Sequence, residues 1–90
     1  METMELRRAA LVTGILEGAE PGELILLPEL VEMAGEDYIV KVTLHRLADA
    51  LAGDQAPLPA TAREALRLPA GARFADAVVV LRERWDRDQV

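Results

Sequence analysis

Residues 72–87, ARFADAVVVLRERWDR, decide the architecture through the period of their apolar side chains. Phe74, Ala77 or Val78, Leu81 and Trp85 recur near every 3.6 residues, opposite a face of Arg82, Glu83, Asp86 and Arg87. That spacing predicts an amphipathic helix over Ala72 to Arg87. Opposite charges four apart (Arg82 with Asp86, Glu83 with Arg87, Arg84 with Asp88) suit its solvated side. The β-branched run Val78 to Val80 leaves a strand as the competing reading.

Upstream, Asp54 to Pro59 (DQAPLP) is a loop, since two prolines in three residues cannot continue a helix. Between it and the last helix, Thr61 to Leu68 reads as a short helix starting near Ala60 or Thr61 and stopped by Pro69. At the other end, Thr3 to Leu16 is built from strong helix formers and closes at Gly18, although Gly14 weakens it by about 1 kcal/mol relative to Ala. Glu20-Pro21-Gly22 follows as a turn, and Leu24 to Leu27 is too short to classify by period. Pro28 to Gly35 carries both end signals of another short helix.

The stretch 37–46 supports two readings. Tyr38, Val40, Val42 and Leu44 alternate with Ile39, Lys41, Thr43 and His45 as in a half-buried strand. Yet Val40, Leu44, Leu47, Ala48 and Leu51 form a longer helical stripe ending at Gly53, and the longer pattern favours helix. The expected fold is therefore mainly α, a small bundle of four to five short helices in a single domain over 1–90. An α+β arrangement with strands near 37–46 and 78–81 is the alternative.

Composition narrows the chemistry. The 90 residues are 51% apolar and 29% charged, which suits a small globular domain, and the longest apolar runs fall far short of the ~20 residues a membrane helix needs. The chain opens with Glu2 and Glu5 rather than a basic leader, so a cytoplasmic location is expected. It has no Cys, no Ser and no Asn, one Lys and one His, which removes disulfides, thiolate nucleophiles, cysteine-built metal sites and serine triads. The net charge of −6 is uneven: residues 1–53 carry all of it, whereas acids and arginines balance in 54–90.

Candidate sites are few. His45 and Asp49 share a helix face if the segment is helical, but two ligands do not hold a metal, and a surface hydrogen bond or ion pair explains them. The three-residue spacing of Glu17, Glu20 and Glu23, repeated in Glu29, Glu32 and, more loosely, Glu36, reads as a solvated acidic face. No glycine-rich phosphate loop is present. A helix-turn-helix element at 61–87 is conceivable with Gly71 in its turn, Leu66, Ala70, Ala77 and Val80 where the helices meet, and Arg73, Arg82 and Arg84 toward DNA. Pro69 and Asp76 weigh against it, as does the net charge.

These features lead to the expectation of a non-enzymatic interaction or assembly module, homo-oligomeric, with no catalytic residue, cofactor or metal. Phe74, Val78, Leu81 and Trp85 are the expected partner-binding residues, with Arg82 and Arg84 steering an acidic partner or the acidic half of a second copy. A DNA-binding regulator built on 61–87 is the alternative.

Overall fold

In a computed structural model the described residues are 4–26 and 41–88. They form a mainly α fold: α1 (Met4–Glu17), β1 (Leu24–Leu26), β2 (Lys41–Thr43), α2 (Leu44–Leu51), α3 (Ala60–Ala65) and α4 (Phe74–Asp88). The helix expected at Pro28 to Gly35 lies outside the described residues.

Helix α1 buries Leu6, Ala10, Leu11, Gly14 and Ile15, one stripe at helical spacing. It stops where Gly18 turns left-handed at φ 66°. There the Gly18 and Ala19 amides donate to the Ile15 and Gly14 carbonyls at 3.2 and 3.0 Å, satisfying acceptors that the helix end would orphan. Gly14 lets two side chains pack directly on α1. A Cβ placed there would lie 2.6 Å from both Ile25 Cδ1 and Leu44 Cδ2, so these side chains would have to shift to admit even a methyl group.

The short run after the turn is strand. β1 pairs antiparallel with β2, in the register Leu24 to Thr43, Ile25 to Val42 and Leu26 to Lys41. Ile25 points into the core and Leu24 faces outward, the alternation a strand imposes.

Residues 41–46 then correct the expectation of helix in this stretch, of which residues 37–40 lie outside the described residues. Strand geometry holds over 41–43, and helix begins only at Leu44. The junction is Thr43, whose extended backbone (φ −91°, ψ 149°) ends β2 while its Oγ1 accepts the Arg46 amide at 3.4 Å as the N-cap of α2. Among the described residues, strand and helix thus abut at Thr43. The other proposed strand, 78–81, is helical throughout.

Helix α3 ends in the same manner as α1, with Arg67 instead of glycine at the left-handed position (φ 57°). The Arg67 and Leu68 amides donate to the Glu64 and Arg63 carbonyls at 3.1 and 2.9 Å. The loop before α3 also serves α4. Amides of Phe74 and Ala75 donate to the Ala56 and Asp54 carbonyls at 3.1 and 2.9 Å, so the loop completes the first turn of the last helix. Among the described residues one hydrophobic core joins the four helices and β1, with Leu11, Leu44, Leu51 and Val78 its largest fully buried side chains.

Candidate interaction surface

The stripe read from the sequence lies inside the molecule. Phe74, Val78, Leu81 and Trp85 are 3%, 1%, 4% and 5% exposed, and they close the core of their own chain against the other helices. Their burial leaves them no area to offer a partner without unfolding α4. Trp85 also takes an edge-on contact from His45, ring centroids 5.4 Å apart and planes inclined at 67°. His45 thus serves a packing role on α2.

The arginines have separate fates. Arg82 leaves its own helix to meet Asp49 of α2, Nη2 to Oδ1 at 2.6 Å, across an exposed surface. His45 and Asp49 therefore engage two different residues of α4 rather than each other. No group of three or more His, Asp or Glu side chains among the described residues could hold a metal ion. Glu17, Glu20 and Glu23 are all solvent-exposed, as an acidic face requires. Arg84 is exposed and borders a small cavity beside Trp85 and the end of α1.

The helix-turn-helix residues also fall where they can be judged. α3 and α4 are joined through residues 66–73, longer than the three or four residues of that motif's turn. Arg73 donates its amide to Asp76 Oδ2 at 2.8 Å, and its guanidinium is held tightly on the Gln55 carbonyl. Leu66 and Ala77 are buried as that register expected, whereas Ala70 is exposed.

Two features went unread in the sequence. The first is a partly buried ion pair: Arg8 of α1 binds Asp54 through Nε to Oδ2 at 2.9 Å and Nη2 to Oδ1 at 3.0 Å, and Asp54 Oδ1 also accepts the Ala56 amide at 2.8 Å. The hydrogen bonds from Arg8 are the main reason that the Asp54 carboxyl is held below the usual carboxylate range, against the opposing effect of burial. The Arg8 guanidinium lies 5.9 Å from the centre of the Phe74 ring, so one arginine spans α1, the loop and α4.

The second is an open apolar groove of about 430 Å³, walled on one side by the 68–72 turn and on the other by Val79 and Val80, with Asp76 at its end. Val79 is 55% exposed. A signal for it existed: three consecutive valines in a helix span about 200° of its circumference, so they cannot all face one core. Met4, Leu16 and Leu24 are also exposed, but none of them lines this groove. Comparison with known proteins finds no family model, no curated protein and no solved structure that matches this chain.

Proposed function

We propose that the chain is a small, non-enzymatic protein interaction module of the cytoplasm, and that it docks through the groove between the 68–72 turn and the outer face of α4. The carrying observation is Val79, more than half exposed on the side of α4 turned away from the core and continuous with Leu68, Pro69 and Val80. Apolar side chains scattered singly over a surface need no explanation, whereas several gathered in one concavity mark a contact site. No helix among the described residues is long and apolar enough to cross a membrane.

This reading moves the contact from the buried stripe to the opposite face of the same helix. Of the arginines expected to steer a partner, Arg84 has an exposed side chain for that purpose, while Arg82 is engaged with Asp49. The test is capture from a cell extract on immobilised wild-type and Val79→Asp protein. Loss of specific partners from the Val79→Asp sample supports the groove, and identical capture by the two overturns it.

The DNA-binding alternative draws on the succession of α3, a turn containing Gly71 at φ 87°, and α4. It requires Arg73 to abandon the Gln55 carbonyl before it can reach a base. A gel shift at low salt separates the readings, since binding that is lost in Arg73→Ala favours DNA.

A further inference from the structure

We infer that the occupant of the groove is a second copy of this chain, docked with its α4 antiparallel to the first and the two helices crossing near Val80. The inference rests on the interaction-module reading and adds the identity of the partner.

Along the solvent-facing flank of α4, Asp76 and Arg84 are exposed, and Val80 between them is half-buried, with its inner side packed on the core and its outer side lining the groove. Asp76, Val80 and Arg84 stand four residues apart and therefore form one ridge of the helix: an acid, an apolar residue and a base, with about 12 Å of helix between the two charges. Val79 projects beside the centre of that ridge. A ridge with a negative end, a greasy middle and a positive end is complementary to itself when reversed. A twofold axis at Val80 puts valine against valine and sets Asp76 of each copy opposite Arg84 of the other. Ridges of this class pack at a crossing angle near 50°, which brings them into line with each other.

Three further observations agree. Asp76 and Arg84 are exposed at opposite ends of the apolar segment, so their charges are available across an interface. The charge distribution of the whole chain points the same way, because the groove and α4 belong to residues 54–90, in which acids and arginines balance. Pairing through residues 54–90 brings together two segments that carry no net charge of their own. The apolar wall at Leu68, Pro69 and Ala70 gives the aliphatic stems of the second copy's arginines a place to lie. A contact of this size, one helix face and one turn per subunit, belongs to the weak class of interfaces.

Sedimentation equilibrium of the whole chain tests the proposal. Wild type self-associates to a dimer with a dissociation constant between about 1 μM and about 1 mM. Val79→Asp and Arg84→Glu each weaken the dimer about tenfold or more, and adding Asp76→Asn to Arg84→Glu recovers most of the loss. Asparagine keeps an oxygen to accept the Arg73 amide while removing the repulsion. Far-UV circular dichroism checks the fold of each variant, and if Val79→Asp does not fold, the Arg84→Glu pair of measurements stands alone. A wild-type chain that stays monomeric throughout, while capturing a partner that Val79→Asp loses, overturns the second copy and keeps the groove. A dimer indifferent to all three substitutions overturns both.

Discussion

Arg8 and Asp54, separated by 46 residues in the chain, meet through two parallel hydrogen bonds of 2.9 and 3.0 Å. The Asp54 side chain is 3% exposed, so its charge is tolerable only because the guanidinium and the Ala56 amide together satisfy it. Replacing Asp54 with Ala strands Arg8 and frees the loop that completes α4. We expect a loss of about 2 to 3 kcal/mol in urea unfolding.

The same pair sets the response to acid. Folding lowers the Asp54 pKa, so the ionised carboxylate stabilises the native state at pH values above the ordinary aspartate range near 4. That contribution fades as pH falls through the lowered native value. Wild type should lose stability as the pH is taken below about 4, and Asp54→Asn should show a shallower decline over the same interval. Parallel declines would assign the acid sensitivity to other carboxylates.

Gly14→Ala sets two effects against each other. Alanine favours helix by about 1 kcal/mol over glycine, yet its methyl would overlap Ile25 Cδ1 and Leu44 Cδ2, both in tightly packed side chains. Overpacking is the larger effect, and a net destabilisation of about 1 kcal/mol is expected, lowering the melting temperature by about 4 to 8 °C. Ile25→Val in the same chain removes one of the two clashing carbons and should recover part of the loss.

Arg67→Gly should act in the opposite direction. The position is left-handed, and a side chain there is held against its conformational preference at φ 57°. Glycine at such a helix end should raise stability by about 1 kcal/mol, read as a higher denaturant midpoint at unchanged slope. An unchanged midpoint would show that the Arg67 side chain contributes as much as its backbone loses.

Trp85 and Val79 should separate packing from docking. Trp85→Ala removes a core side chain and its contact with His45, at about 3 to 5 kcal/mol. Val79→Ala, on the exposed side of the same helix, should change thermal stability by no more than about 0.5 kcal/mol. A large effect at Val79 would show that it supports the core after all.

The sequence made the helices legible wherever their ends carried chemical signals. Gly18 closed α1, prolines bracketed α3, and the period of Phe74, Leu81 and Trp85 marked α4. The strand at 41–43 was only half legible, because alternation and helical stripe overlap in residues shared by both patterns, and the side chain that separates them, Thr43, suits a strand and an N-cap equally. That the stripe of Phe74, Val78, Leu81 and Trp85 is buried in its own chain was illegible for a different reason. Periodicity identifies the side of a helix that seeks burial, and in a chain this short that side is consumed by its own core. Of the 78–80 run, Val78 is buried, Val80 half-buried and Val79 exposed. The ion pair was illegible, since nothing local connects residue 8 with residue 54.

Residue 54 grips α1 with its side chain and the opening turn of α4 with its carbonyl. The first and last helices consequently share one fastening point, although they lie at opposite ends of the chain. Fraying of either helix at that point would slacken the other, so the two are expected to open together rather than to melt independently.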